Sequence, residues 1–123
     1  MTPVSRALRT LALAATFLAG GLLQAEDKKE LPKFDGNLQK YWADACARCH
    51  GVNGNGRDNN GGQLPDAGFD FTDSRKANKK KDSDWVKVTL NGKDKMPAFK
   101  DRMSEADVQK MITEIVRKFA AKH

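Results

Sequence analysis

The sequence predicts an all-α domain of three to four short helices joined by irregular loops, and three observations carry that expectation. Apolar residues recur at spacings of three and four in three segments, no stretch keeps the period-two alternation of a half-buried strand, and glycine and proline punctuate the first connection. A first helix is expected over residues 37–49, where Leu38, Tyr41, Trp42, Ala45 and Cys49 form one stripe. Gly51, Gly54, Gly56, Gly61, Gly62 and Pro65 then mark a long loop, of the kind that in a compact domain tends to carry function. Asp82-Ser83-Asp84 supplies a cap and favourable charge for a short helix with Trp85, Val88 and Thr89 on its inner face, stopped by Asn91-Gly92. The last helix is capped by Ser104, with Asp107 three residues on as a variant of the capping box, and its apolar face runs from Val108 through Met111, Ile112, Ile115 and Val116 to Phe119. No internal repeat or low-complexity tract interrupts this order.

The chemistry is concentrated in Cys46-Ala47-Arg48-Cys49-His50. Two thiols on adjacent turns of one helix can both reach the vinyl groups of a single haem, and the next imidazole then points at the iron; this spacing is the c-type attachment pattern. The rival readings fit less well. Tetrahedral zinc wants four ligands, and the chain has two cysteines and two histidines, one of them the last residue, His123. A dithiol redox pair sits at a strand-to-helix turn, and no strand-like run precedes Cys46. A disulfide between residues three apart would close a very small ring and stabilise little.

A second iron ligand has to come from the opposite face. Met111 lies in the apolar face of the last helix and reads as core filler, Met103 precedes the Ser104 cap and reads as a staple, and a terminal histidine frays. Met96 differs, because it lies between the Asn91-Gly92 stop and the Ser104 cap, and Pro97 restricts it to extended backbone, which lets the thioether project from the chain.

With these residues in place, the chain resembles the small monohaem class I cytochromes c, and is similar to soluble bacterial members and to the cytochrome domains of terminal oxidases and dehydrogenases. The resemblance rests on Cys46 to His50 with Gly51, Gly54 and Gly56, on Phe69-Asp70-Phe71-Thr72-Asp73, on the stretch from Gly92 through Met96-Pro97 to Phe99, and on the closing helix. It implies a cytochrome c fold around one covalently bound haem c, with thioethers at Cys46 and Cys49 and His50 and Met96 as axial ligands. It also implies that Pro65 offers its carbonyl to the other nitrogen of His50, that Trp85 packs on the cofactor, and that Trp42 crosses the last helix at Phe119 or Val116. Two positions depart from the family: Leu38 stands where a small residue is usual, and Thr89 where a larger aliphatic one is, which implies a displaced crossing and a more polar distal wall.

Residues 1–25 place Arg6 and Arg9 before the apolar run Leu11 to Leu23, an order that reads as a secretory signal peptide cleaved after Ala25, with retention as an anchor the alternative. A loosely ordered lead over 26–35 and a domain over 36–123 would follow, and haem would be attached in the periplasm. The chain carries 22 basic and 16 acidic residues, a net +6; without the two arginines of the first 25 residues this becomes +4. No basic stripe or recognition element suggests nucleic acid, and Lys79-Lys80-Lys81 runs directly into Asp82 and Asp84, as solvated loops do. The expected function is periplasmic one-electron transfer by a monomer, not an enzyme, that docks redox proteins transiently through Lys93, Lys95 and Lys100 beside Met96. Asp70, Asp73, Asp82 and Asp84 sit in polar surroundings and are expected to cap or solvate loops. The alternatives are a haem enzyme or sensor in which Met96 dissociates, and a fixed haem subunit of a larger oxidoreductase.

Overall fold

The computed structural model describes residues 30–122. The signal segment expected over 1–25, residues 26–29 of the expected lead, and His123 lie outside the described residues. Among those described there are four helices and no strand, and no helix is long and apolar enough to cross a membrane.

Helix α1 covers residues 38–50 in three consecutive stretches, an α-helical Leu38–Tyr41, a π-helical turn Trp42–Cys46 and an α-helical Ala47–His50. Asn37 caps it, its side-chain oxygen accepting from the Lys40 N–H at 3.0 Å. The π turn changes the phase of the apolar stripe: Ala47 donates to the Trp42 carbonyl five residues back and is buried, where a pure 3.6-residue period would have turned it outward. Gly51 ends the helix at φ +78°.

Helix α2, Ser74–Ala77, is a single turn capped by Asp73, whose carboxylate accepts from the Lys76 N–H at 3.2 Å. That bond, more than any ion pair, holds the half-buried Asp73 carboxyl below the usual carboxylate range. Helix α3, Asp82–Asn91, begins with two acids and stops at Gly92 (φ +77°), whose N–H donates to the Val88 carbonyl. Its one fully buried side chain is Val86; Trp85, Val88 and Thr89, expected on the inner face, are half-buried. The Thr89 hydroxyl donates to the Trp85 carbonyl at 2.7 Å, so its polarity is satisfied within the helix.

Helix α4 covers residues 105–121 as Glu105–Met111, a second π turn Ile112–Val116, and Arg117–Ala121. The expected cap is present: Asp107 N–H donates to Ser104 Oγ at 3.1 Å while Ser104 Oγ donates to the Asp107 carboxylate at 2.8 Å. Through the π turn Arg117 N–H bonds Ile112 O, which places Arg117 beneath a core residue. Helices α2 and α3 both pack against α4, and the core joins Trp42, Phe71, Val86 and Phe99 to the inner face of α4.

The end of the lead is ordered, which corrects the expectation for residues 31–35. Tyr41 Oη donates to the Pro32 carbonyl at 2.6 Å, Phe34 meets the Tyr41 ring edge-on at 5.4 Å, and Phe34 N–H donates to the Arg102 carbonyl. Leu31 and Phe34 are apolar anchors that find core to cover.

Helices α1 and α4 meet where Trp42 and Phe119 bring their rings to 5.1 Å, as the resemblance implied. Gly54 makes room for this contact. At φ +72° it is left-handed, and a Cβ there would lie 2.4 Å from Phe119 Cδ2. Left-handed strain and overpacking together predict that Gly54→Ala destabilises the protein by about 3 kcal/mol. A urea midpoint that falls at constant slope checks this; an unmoved midpoint contradicts it.

Candidate functional site

The π turn of α1 delivers Cys46, Cys49 and His50 to its C-terminal end, all three half-buried. Both cysteines are free. Burial pushes the Cys46 thiol up to about 12, so at neutral pH it is a protonated thiol and not a standing thiolate. That is the reverse of what a dithiol redox centre arranges for its nucleophile. Among the described residues no group of three or more His, Cys, Asp and Glu side chains could hold a metal ion, which leaves the zinc reading without ligands there.

The loop after α1 folds back over His50 through backbone bonds. Gly56 N–H donates to His50 O at 2.7 Å, Gly68 N–H to Cys49 O at 2.7 Å, and Phe71 N–H to Gly54 O at 2.8 Å. Gly68 consequently lies flat on the imidazole, and a Cβ there would stand 2.5 Å from His50 Cε1 and 3.0 Å from Nε2. His50 Nδ1 faces the Phe69 carbonyl at 3.2 Å. The carbonyl expected from Pro65 is therefore that of Phe69. Pro65 is exposed four residues earlier, inside the turn that the Ala67 N–H closes on the Leu64 carbonyl.

Burial lowers the pKa of His50, with the Phe69 bond acting in the opposite sense. The imidazole is thus neutral at physiological pH. Its Nδ1 carries the proton toward Phe69 and its Nε2 lone pair is left for a metal, the second-shell arrangement that orients ligating histidines. An aromatic wall supports the ring: Phe71 at 4.8 Å, Trp42 at 5.9 Å, and behind Phe71 the Trp85 indole, edge-on at 5.2 Å. Trp85 is placed as a wall residue one ring removed from His50.

Met96 closes a tight turn after α3, its N–H donating to Lys93 O at 2.9 Å and its carbonyl accepting from Lys93 N–H at 3.1 Å. Asp94 at φ +51° makes that turn, and Gly92 must be glycine because a Cβ would lie 2.7 Å from Met96 O. Phe99 and Lys100 N–H groups tie the segment back to Thr89 and Leu90 of α3. Across the site, Lys95 Nζ meets Asp66 Oδ1 at 2.6 Å, which joins the Met96 turn to the loop over His50. Met103 and Met111 are each 4% exposed inside the core, whereas Met96 is half-exposed. The acids are spent locally: Asp70 accepts from Thr72 N–H and Oγ1, Asp73 caps α2, and Asp82 pairs with Arg117.

Two paired features escaped sequence reasoning, the Gly68–Phe69 clasp on His50 and the Arg117–Trp85 contact, in which the guanidinium carbon stands 4.0 Å over the indole. The Gly-Phe-Asp-Phe run was the available signal for the first; nothing local signals the second.

The residues fit a covalently attached haem, with two free thiols three positions apart, a histidine with one nitrogen engaged and the other available, and a backbone glycine where a side chain would displace the ring. Comparison with known families finds that residues 36–113 match the model described as cytochrome c oxidase, cbb3-type, subunit III. A search of the curated proteins finds no match.

Proposed function

The chain belongs to the family described as cytochrome c oxidase, cbb3-type, subunit III, and has its covalent c-type haem and a role in haem-based electron transfer; from that premise we propose a periplasmic one-electron carrier with His50 and Met96 as axial ligands. The haem supplies a single ferrous/ferric couple. The chain supplies the frame: Cys46 and Cys49 would hold the haem through thioethers, the Phe69 carbonyl fixes the His50 tautomer, and Met96 would offer its thioether to the iron. A thioether from Met96 would favour the ferrous state and raise the potential, and an iron held by both His50 and Met96 would leave small molecules no place to bind.

The observation that carries this reading is the clasp on His50, with Nδ1 at 3.2 Å from Phe69 O and Gly68 flat against the ring, which leaves one nitrogen available. The visible spectrum of the ferric holoprotein tests it. A weak band toward the red, characteristic of methionine sulfur on ferric haem, is expected; a high-spin spectrum would mean an open iron and a haem enzyme or sensor.

Docking of redox partners is expected at the Met96 turn. Lys95 is engaged by Asp66, so Lys93 and Lys100, both exposed, carry the attraction. Electron-transfer rates with an acidic partner should fall as salt rises, because exposed charges are screened within about 8 Å at physiological ionic strength. The family's own description favours one further reading, a fixed haem subunit of a larger oxidoreductase. Release from cells as a monomer by gentle extraction opposes it; co-purification with a complex supports it.

A further inference from the structure

A second basic surface lies at the other end of α3. We infer that the Lys79-Lys80-Lys81 turn, with Arg75 beside it, is a docking surface for the acidic face of a partner protein, separate from the Met96 turn.

The first ground is charge without compensation. Arg75, Lys79, Lys80 and Lys81 are all exposed; Arg75 shares the charge of Asp73, whereas no ion pair or side-chain hydrogen bond engages Lys79, Lys80 or Lys81 among the described residues. The nearby acids are mostly committed, with Asp73 capping α2 and pairing with Lys76, and Asp82 held by Arg117; Asp84 is the exception.

The second is that the charged side chains of these lysines do not serve the helix they precede. They precede the positive end of α3, where cations oppose the helix dipole and acids favour it. Asp82 and Asp84 already serve that end.

The third is rigidity. Arg117 donates from Nη1 to Ala77 O at 2.8 Å and from Nη2 to Lys80 O at 2.6 Å, while its Nε meets Asp82 at 2.6 Å and its plane covers Trp85. Lys79 and Lys80 N–H groups bond back to Lys76 and Ala77, and Asp84 and Trp85 N–H groups both bond to Lys81 O. The backbone that displays the lysines is thus fixed to α4 on one side and α3 on the other. A diffuse anionic membrane needs charge alone; charges held at fixed positions suit a structured acidic protein face.

The two basic surfaces act independently. Ten residues of α3 separate them, roughly 15 Å at 1.5 Å per residue, beyond the Debye length of about 8 Å at physiological salt. One partner could be held at the Lys79–Lys81 turn while the Met96 turn stays free for another. The inference concerns a surface and does not depend on the iron's axial ligands.

The test titrates ¹⁵N-labelled ferrous holoprotein with a deca-glutamate peptide at physiological salt. The largest shifts are expected in the amides of residues 75–81. Lys79→Glu with Lys80→Glu and Lys81→Glu should weaken binding at least about tenfold (about 1.4 kcal/mol). The charge-matched set Lys87→Glu, Lys110→Glu and Lys118→Glu should weaken it less than about threefold, the spectra of both holoproteins remaining unchanged. Arg117→Gln, which keeps every lysine, should weaken it measurably by releasing the turn. Equal losses in the two triple variants, or shifts confined to the Met96 turn, would overturn the inference. So would binding to phosphatidylglycerol vesicles through these lysines without binding to the peptide, which would make the surface a membrane contact.

Discussion

Replacing both thiols, Cys46→Ala with Cys49→Ala, is expected to abolish covalent haem and leave a chain without a cooperative fold. The reason lies in size. Residues 31–122 form one small core whose aromatic wall of Phe69, Phe71, Trp42 and Trp85 gathers around His50. A domain of this length has a total stability of only about 5–15 kcal/mol. Each aromatic-sized surface of about 150–250 Å² taken from water is worth roughly 4–6 kcal/mol at about 25 cal/mol/Å². A porphyrin presents several such surfaces, so its removal is comparable to the whole margin. Circular dichroism and urea unfolding of the double variant check this: weak helical signal with no sigmoidal transition is expected, and native helicity with a sharp transition would show that the polypeptide completes its core alone.

Met96→Ala is expected to leave the fold in place and change the iron. The turn that presents Met96 is held by backbone bonds at Lys93 and by Phe99 and Lys100 against α3, so removing the thioether disturbs little else. The reduction potential should fall, because a sulfur ligand favouring ferrous iron is lost, and cyanide and carbon monoxide should bind where they did not before. Met103→Ala is the informative contrast. Met103 is 4% exposed in the core, so truncation there should cost about 2–5 kcal/mol with the potential and ligand exclusion intact. If Met103→Ala opens the iron and Met96→Ala does not, the axial assignment is reversed.

The parts of this structure that sequence could read are those set by local chemistry. Ser104 with Asp107, Asn91 before Gly92, and the stripe ending at Cys49 each specify an element within one or two helical turns, and each is found within a residue of its expected place. The pairing of Trp42 with Phe119 was legible through family resemblance. What escaped was set by distance or by phase. Arg117 reads as a polar-face residue at 3.6 residues per turn, and the π turn at Ile112–Val116 is what places it beneath the core, near groups 35 to 40 residues earlier in the chain. The carbonyl opposite His50 depends on the path of a glycine-rich loop, so Phe69 could not be separated from Pro65 by spacing. Helix α2 is four residues long and shows no period. The lead over 26–35 read as loosely ordered because most of its side chains are charged, yet Leu31 and Phe34 pack against the core.

The central claim, that Cys46 and Cys49 carry a haem clasped by His50, is most directly tested by the intact mass of protein matured in a haem-competent exporting host, with thiol alkylation after denaturation. The account predicts the polypeptide plus one haem and no alkylatable thiol. A colourless product of bare polypeptide mass with two alkylated cysteines would contradict it.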